Sequence, residues 1–214
     1  MTFKNRVEAG KKLSEALQSY KGKDVVVLGI PRGGVVVANE VATALDAPLD
    51  IVVSRKIEAP GEPEFALGAV TQEGEVIMDR QAAESLGATP EYLDDQIRKK
   101  REEVKDRMQM LRGDAPYPRL EGRTVVIVDD GIATGSSVNA AVMSVKKRKP
   151  KEIVVATPVA PKDAVETLSE DGTKVVSLET PKTFLAIGEF YSNFEQVEDI
   201  EVKRIINQAS ARRR

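Results

Sequence analysis

The chain has 214 residues, 32 Lys+Arg against 34 Asp+Glu, a formal net charge of −2, 41% hydrophobic residues, and neither His nor Cys. The length suits one domain with embellishments and a real core, and the near-neutral balance argues against a general nucleic-acid binder. Without Cys or His there is no disulfide, no thiolate or imidazole catalysis and no zinc–sulfur site, which leaves a hard cation such as Mg2+, held by carboxylates and substrate oxygens, as the inorganic partner.

The opening MTFKNRVEAG lacks the apolar stretch of a signal peptide. The longest apolar runs are about six residues, against the ~20 needed to span a bilayer. A soluble, cytoplasmic protein with no membrane or nucleic-acid partner is expected.

In chain order, Phe3, Val7, Leu13, Leu17 and Tyr20 mark one face of a helix within 3–20. VVVLGI (25–30), apolar on both faces, reads as a buried parallel strand followed by the turn PRGG. A helix over 35–45 and a strand LDIVVS (49–54) follow. SRKIEAPGEPE (54–64), with two Pro and several charges, reads as a loop. ALGAVTQEGEVIMD (66–79) reads as a hairpin turning near Glu73-Gly74. Thr89-Pro90-Glu91 carries the signature of a helix start. The helix beyond it has a narrow apolar stripe at Leu93, Ile97, Val104, Met108 and Leu111. It belongs to a helical insertion over about 80–115, either solvated and packed on the body or a homodimer contact.

The βα alternation then resumes: strands at 124–129, 152–157 and 174–179, helices at 136–148 and 161–171. Five apolar strands separated by helices imply a doubly wound α/β fold with a mainly parallel five-stranded sheet and right-handed crossovers. FLAIGEFYSNFEQ (184–196) is rich in aromatics, and the basic end KRIINQASARRR is expected to fray.

The segment that carries chemistry is TVVIVDDGIATGSS (124–137). A buried strand ends in Asp129 and Asp130, and a small-residue loop then opens a helix. Ligands of open α/β sheets bind beyond the carboxyl ends of the strands, and N–H groups at a helix N-terminus favour an anion. With Thr134, Ser136 and Ser137 as hydroxyl donors the loop is a phosphate cradle. The Asp pair repels that phosphate and needs hydroxyl donors or a cation, a division that describes a ribose 5-phosphate.

This segment resembles the 5-phosphoribosyl-1-pyrophosphate (PRPP) signature of the type I phosphoribosyltransferases over Val125–Ser137. The resemblance implies that Asp129 and Asp130 hold the ribose hydroxyls, with Mg2+ bound there or indirectly through PRPP and water. It implies that Ala133, Thr134, Gly135, Ser136 and Ser137 bind the 5-phosphate. GIPRGG (29–34) resembles the family's pyrophosphate loop, with Arg32, Gly33 and Gly34. Arg55 and Lys56 resemble its basic pair at the base of a mobile loop, here about 57–66. The whole chain resembles a subgroup of predicted members whose acceptor is unassigned. The reaction implied is displacement of pyrophosphate from PRPP by a nitrogenous base through an oxocarbenium-like transition state, with Asp129, Asp130, Arg55 and Lys56 as the catalytic set. A non-catalytic PRPP sensor is the alternative.

Ala133 stands where relatives acting on 6-oxopurines carry Asp, which points away from hypoxanthine and guanine. The family's acceptor hood would come from residues 1–22 and 180–200, where Phe184, Phe190, Tyr191 and Phe194 either stack on a planar base or form a satellite core.

Overall fold

The computed structural model describes residues 2–170 and 172–212. Among these, five strands form a parallel sheet: β1 (Val25–Gly29), β2 (Leu49–Ile51), β6 (Thr124–Val128), β7 (Glu152–Val159) and β8 (Lys174–Glu179), in the order β2-β1-β6-β7-β8. The predicted doubly wound α/β fold is the one observed.

The two-residue period of a strand explains why the central strands β1 and β6 are apolar on both faces. Val25 and Val27 of β1, with Val126 and Val128 of β6, enter one core. Val26, Leu28, Val125 and Ile127 enter the other. The first core is covered by α1 (Arg6–Ala16), α2 (Gly33–Leu45) and α7 (Asp199–Ala211), the second by α5 (Ser136–Lys146) and α6 (Lys162–Ser169). Among the described residues no helix is long and apolar enough to cross a membrane.

Between β2 and β6 the chain builds a second, antiparallel sheet of β3 (Arg55–Ala59), β4 (Glu62–Val70) and β5 (Val76–Met78). The predicted hairpin about Gly74 is its β4–β5 half. The predicted loop over 54–64 is not a loop: it forms β3, a turn at Pro60-Gly61, and the start of β4. Pro63 is tolerated because the β3–β4 register shifts on both sides of Glu58, so that end of the ladder is irregular.

The helical insertion consists of α3 (Arg80–Ser85) and α4 (Pro90–Arg112). Thr89 caps α4 by accepting from the Tyr92 N–H. Val104 and Leu111 are buried, and Leu93, Ile97 and Met108 pack beside them. The stripe thus faces the body, while Asp95 pairs with both Arg98 and Lys99 along the exposed side.

Of the C-terminal stretch expected to fray, residues 203–211 belong to α7, which buries Val202, Ile205, Ile206 and Ala209 against α2, β2 and α4; Arg213 and Arg214 lie outside the described residues. The basic residues of α7 disguised an ordinary amphipathic spacing.

Candidate active site

The sheet order reverses between β1 and β6, whose neighbours run off in opposite directions. The crevice beyond their carboxyl ends is where such sheets bind ligands. Gly29 pairs with Val128, so the segments that follow, Ile30-Pro31-Arg32-Gly33-Gly34 and Asp129-Asp130, leave the sheet side by side. The Pro31–Arg32 peptide is cis, Arg32 is the N-cap of α2, and Gly33 and Gly34 are its first residues.

The carboxylates lie directly on those glycines. A Cβ on Gly33 would stand 1.9 Å from Asp130 Oδ2, and one on Gly34 2.8 Å from Asp129 Oδ1. No side chain fits there, so PRGG is glycine-rich because the Asp pair sits against the α2 N-terminus. That helix end favours negative charge. Asp129 Oδ1 also accepts from the Asp130 N–H (2.9 Å). Burial, followed by the charge of Asp130, pushes the Asp129 carboxyl well above the usual range.

The loop expected to bind phosphate follows. Ile132 is buried and anchored by its N–H to the Val159 carbonyl (2.9 Å). Ala133 and Thr134 are exposed. Gly135 turns the chain into α5 with φ of 78°, a conformation that favours glycine. Thr134 and Ser136 share a hydrogen bond of 3.1 Å between their hydroxyls. The N-cap Gly135 has no side chain to cap α5; Thr134 Oγ1 accepts from the Ser136 N–H at 3.4 Å, and the N–H groups that follow in the first turn are suited to an anion.

A cleft of about 80 Å3 lies between the start of the PRGG turn and the start of α5, walled by Ile30, Pro31, Val52, Val53, Ser54, Arg55, Arg107 and Ser137. Arg55 Nε is 3.1 Å from Glu103 of α4. Lys56 does not line this cleft, since successive residues of a strand face opposite sides. Its Nζ donates to the Pro63 carbonyl across the hairpin (2.6 Å). The predicted Arg55–Lys56 pair is therefore divided, and Arg107, held by Asp199 (2.8 Å), stands beside Arg55 instead.

The C-terminal aromatics also reach the site. Ile187 packs where a Cβ on Gly131 would be, and Phe184 and Phe190 stack at 5.7 Å. Tyr191 is not a stacking platform for a base. It is buried between Phe3 (5.5 Å) and Phe194 (4.9 Å), and its hydroxyl donates to the Asp130 carbonyl (2.5 Å). The satellite-core alternative describes Tyr191, which forms a small core with Phe3 and Ala9 against which Phe190 packs.

Arg6, like Arg107, is a site residue that sequence reasoning missed. Its Nε lies 2.6 Å from Asp130 Oδ2, and both side chains are only 12% exposed. Its Nη1 donates to the Glu195 carbonyl (2.7 Å), and its guanidinium lies 3.9 Å from the Phe194 ring centroid. Among the described residues no group of three or more carboxylates could hold a metal. The donor set, two adjacent carboxylates, fits a hard cation taking most of its ligands from substrate oxygens.

An acid pair at the switch point of a parallel sheet, followed at once by a small-residue turn into a helix, defines an α/β protein of the open-sheet class that binds its ligands beyond the strand ends. The family model described as a phosphoribosyl transferase domain matches residues 4–195, and the chain belongs to that family. It is 39% identical over 207 residues to Mycobacterium tuberculosis proteins (strains CDC 1551 and H37Rv) named "putative phosphoribosyl transferase", covering 97% of this chain and 47% of theirs. The chain thus spans about half the length of the curated relatives it matches. The crystal structure of TT1426 from Thermus thermophilus is 43% identical with a TM-score of 0.90, covering 97% of this chain and 99% of that one. A hypothetical protein from Neisseria gonorrhoeae, crystallised with bound ppGpp, shares the fold at 13% identity and a TM-score of 0.51, covering 97% of this chain and 94% of that one.

Proposed function

We propose that the protein transfers the 5-phosphoribosyl group of PRPP to a nitrogenous base and releases pyrophosphate. The observation that carries this reading is the seating of Asp129 and Asp130 on Gly33-Gly34, with the phosphate loop opening directly after them. In this reading Asp129 and Asp130 accept hydrogen bonds from the ribose hydroxyls. The α5 N-terminus, with the hydroxyls of Thr134, Ser136 and Ser137, holds the 5-phosphate. Arg32, Arg55 and Arg107 offset the charge of the leaving pyrophosphate, the last two from the cleft wall. Lys56 joins them only by leaving the Pro63 carbonyl.

Mg2+ would be held at Asp129 and Asp130 and by substrate oxygens, and when bound it neutralises pyrophosphate charge. The chain's own part is positioning and charge stabilisation, which suits a protein without His or Cys. Ala133 keeps 6-oxopurines a poorer match than other bases, and Phe184 and Phe190 are the aromatic faces offered to the acceptor.

The test is calorimetric titration of Mg-PRPP into the protein and into an Asp129→Asn/Asp130→Asn variant shown to be folded. Saturable binding lost in the variant is the expected result. A panel of bases scored by pyrophosphate release then separates a transferase from a PRPP sensor. No binding to the unsubstituted protein overturns the reading.

A further inference from the structure

We infer that Arg6 is a positioning residue of the phosphoribosyl site: its guanidinium fixes the Asp130 carboxylate in the place where that carboxylate meets the ribose hydroxyls. The inference rests on the reading proposed above and assigns a role in it to a residue far from every motif of the site.

Three observations separate this contact from an ordinary surface ion pair, whose contribution is small. Both side chains are nearly buried. Arg6 is itself immobilised twice over, by the Glu195 carbonyl and by the Phe194 ring. Asp130 is held from three sides: Arg6 on Oδ2, the Tyr191 hydroxyl on its carbonyl, and the Gly33 backbone beneath it. A carboxylate fixed so completely is pre-organised for ligand hydroxyls and costs little further ordering when they arrive.

Charge points the same way. PRPP is a polyanion, and Asp129 and Asp130 repel it. The Arg6 cation sits against that pair and reduces the repulsion at the ribose end, whereas Arg32, Arg55 and Arg107 serve the pyrophosphate side. A lysine at position 6 can replace the charge but not the fork that reaches Asp130 and Glu195 together.

The experiment compares the unsubstituted protein with Arg6→Met and Arg6→Lys, all checked by thermal unfolding. Each is titrated separately with PRPP, ribose 5-phosphate and pyrophosphate in the presence of Mg2+. Arg6→Met should weaken PRPP and ribose 5-phosphate by about 10- to 100-fold, the range for loss of a charged hydrogen bond. It should leave pyrophosphate affinity unchanged, and Arg6→Lys should recover part of the loss. A purely structural role predicts equal losses for all three ligands, and that result overturns the inference. So does PRPP binding by Arg6→Met at the unsubstituted affinity. Failure of the unsubstituted protein to bind PRPP is a separate outcome: it overturns the phosphoribosyl reading and the inference with it.

Discussion

At Gly33 a single methyl group decides between two opposed effects. The residue opens a helix, where alanine is intrinsically favoured over glycine by about 1 kcal/mol. The methyl would nevertheless meet Asp130 Oδ2 at 1.9 Å and Arg6 Nε at 2.7 Å, and neither group can withdraw without breaking the Arg6–Asp130 pair. Crowding of this kind typically costs about 1–3 kcal/mol, so it outweighs helix propensity. Gly33→Ala is therefore expected to lower stability in urea denaturation and to weaken Mg-PRPP binding in the same preparation. A stabilised variant would show that the carboxylate has room to move.

Among the elements, the N-terminal segment and the stretch after β8 behave as one piece. Phe3 bridges to Tyr191 in parallel fashion. The Phe3 N–H donates to the Phe190 carbonyl, and the Ser192 and Asn193 N–H groups donate to the carbonyls of Phe3 and Lys4, all within 3.0 Å. Phe3 itself is fully buried. Phe3→Ala should cost about 3–5 kcal/mol and speed amide exchange at residues 190–193 in hydrogen-exchange measurements. Unchanged exchange there would show that Tyr191 and Ile187 hold the stretch without it. The consequence reaches the site, because the same stretch carries Phe194 and the Glu195 carbonyl that seat Arg6.

For the molecule as a whole, a buried ion pair ties the insertion to the main sheet. Arg112, at the end of α4, donates to both oxygens of Asp50 in β2 at 2.7 and 2.9 Å and to the carbonyls of Ala115 and Pro116. Burial pushes the Asp50 carboxyl up, and Arg112 draws it back down. Arg112→Ala strands a buried carboxylate and should cost about 3–5 kcal/mol at neutral pH. The pH dependence has a definite sign. Without Arg112 the folded-state pKa of Asp50 rises further above its unfolded value, so the folded state binds the proton more tightly and stability falls as pH rises through that interval. The deficit of the variant should be largest at neutral pH and shrink on acidification, as read by denaturant midpoints across pH. Asp50→Leu/Arg112→Met should restore most of the loss, since paired apolar replacements of buried ion pairs are often neutral or stabilising. A deficit independent of pH would mean that the helix end, not the charge, was damaged.

The main sheet was legible in the sequence because strands buried on both faces must be apolar along their buried length, and the runs at 25–30, 125–128 and 153–156 are. The Asp129–Ser137 segment was legible because its strand, acid pair, turn and helix start are consecutive, so local geometry alone brings them together. The helix α7 carried a readable signal, Val202, Ile205, Ile206 and Ala209 at helical spacing, hidden behind a basic tail. The β3–β4 hairpin carried none that outweighed Pro60, Gly61 and Pro63, since its strands are stabilised by cross-strand partners and by α4 packed against them. Only the tertiary structure could divide Arg55 from Lys56, bury Tyr191, and bring Arg6, Gly33, Asp130 and Phe194 into contact. Periodicity and capping are written in neighbouring residues. A contact among four distant segments depends on how the helices and the chain ends close over the sheet, and no local pattern encodes that.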